Sequence, residues 1–318
     1  MTHHVRIGLL GCGNVGGGLV QLVADEGVRI RERYGVALEI VRVLVRDGER
    51  ERPGVDRRLI TTHALDVLDA DCDVIVELIG GVHSAGSFVR RALARGCNVV
   101  TANKALLANC GRELFAMAER NDVTIGFEAS VCGAVPVVRA LRRGLAGDSI
   151  ESIAGILNGT CNYVLTRMEE GLDFETALLR AQANGFAEAD PSLDIDGEDA
   201  AQKLRILADL AFDAPVRRAI MMGIRGVTSA EIDDASEKGC VIRLVAEARR
   251  VAGGVEMSVA PRLVPKSDPF ARAIDEENVV MIRGRASGDV TLSGRGAGPL
   301  PTASAVLSDI LECGDRSR

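Results

Sequence analysis

No tryptophan occurs in the 318-residue chain, and with only seven Phe and two Tyr the aromatic share is 3%. Stacking platforms for nucleic-acid bases are therefore missing. With 38 basic against 45 acidic residues, a net charge of -7 and no long basic run, no phosphate-tracking surface is expected either. This reading excludes nucleic acid as a partner. Histidine is scarce: His3 and His4 sit near the start, and His63 and His83 stand far apart, so the ligand spacing of a transition-metal site is absent. No apolar run approaches the length needed to span a bilayer, and the first strand signal begins by Val5, leaving no room for a signal peptide. No membrane partner is expected. The eight cysteines, at 12, 72, 97, 110, 132, 161, 240 and 313, show no CxxC spacing. Several lie inside apolar runs, where free Cys behaves as a small hydrophobe, and this points to a reducing cytoplasm.

What is present is a chain 47% apolar and too long for one ordinary core, which suggests two domains or one interrupted by another. Its densest polar stretch is Ala181 to Lys203, AQANGFAEADPSLDIDGEDAAQK. Gly185, Pro191 and Gly197 break the helical pattern, so Glu188, Asp190, Asp194 and Asp196 fall on a connecting loop at the surface or lining a cavity. Asp190, before proline, reads as a turn-former, and Asp196 as a helix cap. From Glu198 the apolar residues Ala201, Leu204, Leu207, Ala208 and Ala211 recur at helical spacing. Asp199 and Lys203 then share one helix face, four residues apart, where the carboxylate can orient the amine. The plainer alternative is a solvated acidic loop followed by an ordinary intrahelical ion pair.

Towards the start of the chain, Val5 to Leu10 reads as a buried strand and is followed by Gly11-Cys12-Gly13-Asn14-Val15-Gly16 and a helical pattern. A glycine loop between strand and helix is the dinucleotide geometry, with close backbone approach at the glycines and the pyrophosphate at the helix N-terminus. Leu38 to Val45 supplies a second strand that ends at Arg46-Asp47. About thirty residues separate Gly16 from Asp47, against the roughly twenty usual in such folds, because Asp25 to Gly35 lengthens the helix or its loop. Arg46 suits a 2′-phosphate and Asp47 a free ribose hydroxyl, so the reading leans towards NADP, with NAD as the alternative. Val74 to Ile79 ends in Gly80-Gly81, which leaves room for a cofactor at the sheet edge. After a helix from Ser84 to Arg95, the strand Asn98 to Thr101 delivers Asn103 and Lys104 to that same edge.

Val123 to Phe127 reads as a further strand, followed by the small-residue loop Glu128 to Pro136, a helix from Pro136 to Gly144 and a strand from Ser149 to Leu157. Asn158 or Thr160 then stands where it can cap a helix from Cys161 to Glu170. Strand-like runs at Val241 to Glu247, Val255 to Leu263 and Val279 to Arg285 point to a largely open antiparallel or mixed sheet.

The ordered series Ala181, Gly185-Phe186-Ala187, Asp190-Pro191, Asp194-Ile195, Gly197, Asp199 and Lys203 resembles the signature of homoserine dehydrogenases. Together with the glycine loop, the Asn103-Lys104 turn and the Leu292 to Val306 stretch, which resembles the family's return to the nucleotide domain, the resemblance covers Val5 to about Ile310. It implies an α/β fold: a Rossmann-type dinucleotide-binding domain, residues 1–136 plus about 298–318, with an inserted α+β substrate and dimerisation domain, 137–297, built on an open sheet. The implied reaction is the reversible NAD(P)-dependent interconversion of L-homoserine and L-aspartate 4-semialdehyde, in threonine and methionine biosynthesis.

By position, the resemblance makes Lys203 the proton donor, Asp199 its orienting partner and Lys104 a second active-site cation. Lysine suits a proton route only if its pKa falls from about 10.4 towards roughly 7 to 8, which two lysines meeting in one pocket can achieve. Gly11, Gly13, Asn14, Val15, Gly16, Arg46, Gly80, Thr101, Lys104 and Gly298 are the implied cofactor contacts. Gly185, Glu188, Asp194 and Asp199 are the implied substrate contacts, with Glu188 foremost for the substrate ammonium. The backbone carbonyls of Glu128, Val131, Gly133 and Val135 are the implied ligands of a monovalent cation such as sodium. A homodimer or homotetramer is expected, without the regulatory domain that longer members carry after the Pro301-Thr302 motif. Other two-domain amino-acid or sugar-acid dehydrogenases, and a non-catalytic NADP-binding sensor, are the rival readings.

Overall fold

The computed structural model describes residues 2–314. The chain divides into two compact units, Met1–Ala134 with Gly298–Arg318, and Val135–Ala297. No helix among the described residues is long and apolar enough to cross a membrane.

In the first unit, strands β1 (His3–Leu10), β2 (Val36–Leu44), β3 (Ile60–Thr61), β4 (Val74–Glu77), β5 (Asn98–Thr101) and β6 (Ile125–Gly126) alternate with helices α1 (Asn14–Tyr34), α2 (Ala64–Leu68), α3 (His83–Ala94) and α4 (Lys104–Arg120). The strands form one parallel sheet in the order β3-β2-β1-β4-β5-β6. Val5, Ile7 and Leu9 on β1 and Val74, Ile75 and Val76 on β4 are fully buried, as strands covered on both faces must be. The order reverses between β1 and β4, and open α/β sheets hold ligands at the carboxyl ends beside such a switch.

The long interval before Arg46 is helix. α1 runs to Tyr34 and stops at Gly35, whose left-handed backbone, φ 68°, returns its N–H to the Arg31 carbonyl. The expected strand at Val123 to Phe127 shrinks to Ile125–Gly126. There Gly126 is pressed against Asp309, and the Asp309 carboxylate takes the Glu128 N–H at 2.8 Å, drawing the chain out of the ladder into a short 3₁₀ turn.

The second unit holds α5 (Val137–Arg139), β7 (Ile150–Ile156), α6 (Gly159–Glu169), α7 (Phe174–Ala183), α8 (Ser192–Ile195), α9 (Glu198–Ala211), β8 (Val216–Met221), α10 (Ser229–Glu237), β9 (Cys240–Val251), β10 (Gly254–Pro265), β11 (Glu277–Gly284) and β12 (Gly288–Arg295). The helix expected from Pro136 to Gly144 is one short turn followed by a widened one, Ala140–Gly144, closed by Leu145 N–H on the Ala140 carbonyl. The sheet is mixed, in the order β12-β11-β7-β9-β10-β8, antiparallel except where β8 runs parallel to β10. Both edge strands lie outside the runs expected from sequence. β8 is exposed along nearly its whole length and so shows no alternation, and β12 alternates only between exposed and half-buried positions. Leu292 to Arg295, expected to lead back into the nucleotide domain, thus belongs to an edge strand of the second sheet, and the first unit resumes only at Gly298.

Candidate functional site

The glycine loop of the first unit is shaped by backbone proximity. Gly11 has φ 101°, and a Cβ on Gly16 would run into the Gly11 carbonyl, so the first turn of α1 folds directly under the loop. A Cβ on Gly13, at the N-terminus of α1, would meet nothing within 4 Å, which leaves that terminus open to an anion. Asn14, Val15 and Gly16 form the first turn of the helix. A cleft of about 940 Å³ begins here, and Gly11, Gly13, Arg46 and Gly80 line it together with Asp47. Asp47 turns a carboxylate oxygen onto its own loop, accepting the Glu49 N–H at 2.9 Å.

Two further cleft arginines, Arg50 and Arg52, escaped sequence reading because Glu49 and Glu51 alternate with them and the stretch reads as a neutral polar loop. Cys12 lies in the same cleft. Burial pushes its thiol up, and Arg52 partly opposes the shift. An open helix terminus, a glycine floor and three arginines fit a phosphorylated dinucleotide.

A buried network closes the neighbouring sheet edge. Glu77, fully buried, accepts the N–H groups of Ile79 at 2.9 Å and Gly80 at 3.1 Å, and the Thr101 hydroxyl at 2.7 Å. Thr101 Oγ1 in turn accepts the Asn103 N–H at 3.0 Å. The Asn103 amide donates to the Gly81 carbonyl at 2.6 Å, while its oxygen caps α4 through the Leu106 N–H at 3.0 Å. Thr101 is thus buried structure beneath the edge, whereas Lys104 is half-buried and opens α4 immediately after the cap. Gly298, φ 113°, opens the helix Pro299–Gly314, and a Cβ on Gly18 of α1 would press against the Pro299 carbonyl.

The residues expected to hold a cation are spread along one stretch. Glu128 opens the 3₁₀ turn and its carbonyl accepts the Val131 N–H at 3.3 Å. Cys132 and Gly133 both adopt left-handed backbone, φ 58° and 52°. Val135 begins the second unit, where its carbonyl accepts the Val137 N–H at 2.8 Å. Among the described residues no group of three or more His, Cys, Asp or Glu is placed to hold a metal ion.

In the second unit, the polar segment folds onto the turn after β7. Asp199, buried, and Lys203, with 14% of its side chain exposed, pair at 2.7 Å one helical turn apart on α9. The Lys203 amine also donates to the Leu157 carbonyl at 2.8 Å. Asn158 caps α6 by accepting the Cys161 N–H at 2.7 Å, and its amide donates to Asp194 at 2.7 Å and Asp199 at 2.8 Å. Thr160 Oγ1 lies 2.7 Å from the Phe186 carbonyl and 3.2 Å from Asp194 Oδ2, with one proton shared between them. Burial raises the Asp194 pKa, opposed by the Asn158 hydrogen bond and reinforced by the charge of Asp199. Burial likewise drives the Cys161 thiol well up.

Gly185, φ 76°, ends α7, and Glu188 lies exposed beyond it, outside this hydrogen-bonded group. Asp194 sits in the single turn of α8 where a plain loop was expected. Asp190 makes the expected turn, accepting from Ser192 N–H at 3.1 Å and its hydroxyl at 2.6 Å. Asp196 does not cap α9. Gly197, φ 90°, occupies the cap position, and Asp196 instead pairs with Arg225 at 2.9 and 3.0 Å.

Residues 136–311 match the family model described as homoserine dehydrogenase, and residues 11–128 the model described as homoserine dehydrogenase, NAD binding domain. The chain belongs to the homoserine dehydrogenase family. It is 40% identical over 312 residues to the homoserine dehydrogenase of Bacillus subtilis, covering 96% of this chain and 72% of that protein. A crystal structure of the Thiobacillus denitrificans homoserine dehydrogenase superposes with a TM-score of 0.94 at 40% identity, over 98% of this chain and 74% of that one. A hyperthermophilic archaeal homoserine dehydrogenase in complex with NADPH superposes with a TM-score of 0.84 at 28% identity, over 98% and 97% of the two chains. Members of this family are NAD(P)-dependent oxidoreductases.

Proposed function

We propose that the chain interconverts L-homoserine and L-aspartate 4-semialdehyde with NADP in preference to NAD. The observation that carries this reading is the buried Asp199–Lys203 pair beside Asn158 and Asp194, in a chain of this family. Gly11, Gly13, the first turn of α1 and Gly80 hold the dinucleotide, with Arg46 at the 2′-phosphate, aided by Arg50 and Arg52. When bound, the nicotinamide supplies the hydride chemistry.

The protein's own task is orientation and a proton route. Lys203 delivers a proton to the alkoxide oxygen that forms as the aldehyde is reduced, and recovers it in the reverse direction. Asp199 fixes the direction of that amine. Lys104 is the second cation, which tunes or relays the proton. Glu188 and Asp194 take the substrate ammonium. The carbonyls of Glu128, Val131, Gly133 and Val135 hold a monovalent cation such as sodium. The enzyme works in the cytoplasm and assembles as a dimer or tetramer through the second unit.

Homoserine-dependent reduction of NADP and of NAD, followed by absorbance beside other hydroxy amino acids, tests the reading. Faster turnover with homoserine and NADP is expected. Turnover of another hydroxy amino acid in place of homoserine would sink it.

A further inference from the structure

Asn158 is 3% exposed, and its two amide atoms face opposite ways. Its oxygen accepts the Cys161 N–H, which fixes the orientation of the amide: turned over, the group would set NH₂ against N–H and oxygen against two carboxylates. Its nitrogen therefore has one proton for Asp194 Oδ1 and one for Asp199 Oδ2. Asp199 Oδ2 is also the oxygen paired with Lys203. A helix cap needs only the oxygen, and serine or aspartate would serve there as well. The amide adds something that neither can.

We infer that Asn158 is a positioning residue of the reaction, its side chain tying Asp194 to Asp199 and so holding the substrate-facing carboxylate in register with the carboxylate that orients Lys203. The inference rests on the functional reading above. The groups around Asp194 are Asp199 and Lys203 from α9, Cys161 and Thr160 from α6, and Asn158 itself, while Asp196 is occupied by Arg225. Among them Asn158 donates to both carboxylates, favouring their ionised forms. Losing that amide frees Asp194 to turn away from the α9 pair and makes both carboxylates easier to protonate.

The test compares Asn158→Ser, Asn158→Asp and Asn158→Ala with the wild type. Asn158→Ser keeps a capping oxygen but cannot reach the carboxylates. Its melting temperature should fall less than that of Asn158→Ala, because the cap survives while two carboxylates lose a donor, and kcat/KM for homoserine should drop on the order of 10- to 10²-fold, as small misplacements in active sites cost. KM for NADP should not change. The acid limb of kcat/KM for homoserine should move to higher pH, a shift that lost capping alone does not produce. Asn158→Asp keeps the cap and adds a third carboxylate, so its limb should move further. Asn158→Ala removes both functions and should lower the melting temperature further than Asn158→Ser. An active wild type whose Asn158→Ser variant has an unchanged pH profile, or losses that merely follow melting temperature across the three variants, overturns the inference alone. A wild type without homoserine turnover overturns the functional reading beneath it.

Discussion

Thr101 Oγ1 donates to Glu77 Oε2 at 2.7 Å, and the two residues are register partners at the carboxyl ends of β5 and β4. The bond joins the loop that lines the cofactor cleft, held by Glu77 through Ile79 and Gly80, to the turn that carries Lys104. Thr101→Val keeps the volume and deletes the bond, leaving a buried carboxylate short of a donor at a cost of about 1–3 kcal/mol. A lower melting temperature and a raised KM for NADP are expected, with Thr101→Ser close to wild type. A valine variant with unaltered cofactor affinity would show that the two loops are held independently.

Cofactor choice can be read from single arginines. A charge-assisted bond to phosphate is worth roughly 1.5–3 kcal/mol, so Arg46→Ala should raise KM for NADP by about 10- to 10²-fold and leave NAD nearly untouched. The same comparison at Arg50 and Arg52 apportions the 2′-phosphate among the three. Equal losses with both cofactors would remove Arg46 from that phosphate.

Asp194 carries a cost to folding. Its pKa is raised in the folded chain by burial, from an ordinary 3.8, so the folded state holds more protons than the unfolded one between those two values. Its contribution to stability is complete below the ordinary value and is lost as pH rises through the raised one. At neutral pH the ionised carboxylate therefore opposes folding. Asp194→Asn, whose oxygen can still accept from Asn158 and whose NH₂ can donate to Thr160, should raise the melting temperature at neutral pH and lose that advantage in acid. Homoserine affinity should collapse in the same variant. A melting temperature that falls at neutral pH would show that the hydrogen bonds outweigh the burial.

The glycine loop and the Lys104 turn were legible in the sequence because strand, turn and helix are contiguous there, and local pattern is what a sequence displays. Asp199 and Lys203 were legible because helical spacing alone brings them together. The bridge from Asn158 to Asp199 spans 41 positions and depends on how α9 docks beside the turn after β7, which no local pattern encodes. Glu77 read as one residue in an apolar strand, and its buried partners became visible only with Thr101 opposite it. β8 and β12 were missed because edge strands expose both faces and lose the alternation by which strands are recognised. Asp196 was misjudged because glycine, with its left-handed backbone, took the cap position itself.

Assembly can be tested at the β8 edge. Ile220 and Met221 on this strand, Met222 after it and Leu263 on β10 are all more than two-fifths exposed, and such apolar edges invite pairing with another copy. Light scattering at micromolar concentration should give at least twice the 33.6 kDa chain mass. Ile220→Lys with Met222→Lys should lower it without loss of helix or strand signal. A wild-type monomer would leave this edge without a role in assembly.

The proposed mechanism turns on the Asp199–Lys203 pair on α9, and its two members should fail differently. Lys203→Ala should lower kcat by roughly 10²–10⁴-fold, the usual worth of a positioned general acid or base, with NADP affinity near wild type. Glu188→Ala should act mainly through KM for homoserine. Asp199 holds the Lys203 amine at 2.7 Å, and that amine is also anchored on the Leu157 carbonyl at 2.8 Å, so Asp199→Ala alone should cost less than Lys203→Ala. If orienting the amine is all that Asp199 does, Asp199→Ala adds little once Lys203 is gone, because residues acting as a unit are non-additive. Asp199 also receives the Asn158 amide, so a small further loss in the double variant should appear in homoserine KM and not in kcat. Fully multiplicative losses in kcat would give Asp199 a separate chemical task, and near-normal kcat in Lys203→Ala would move the proton role to Lys104.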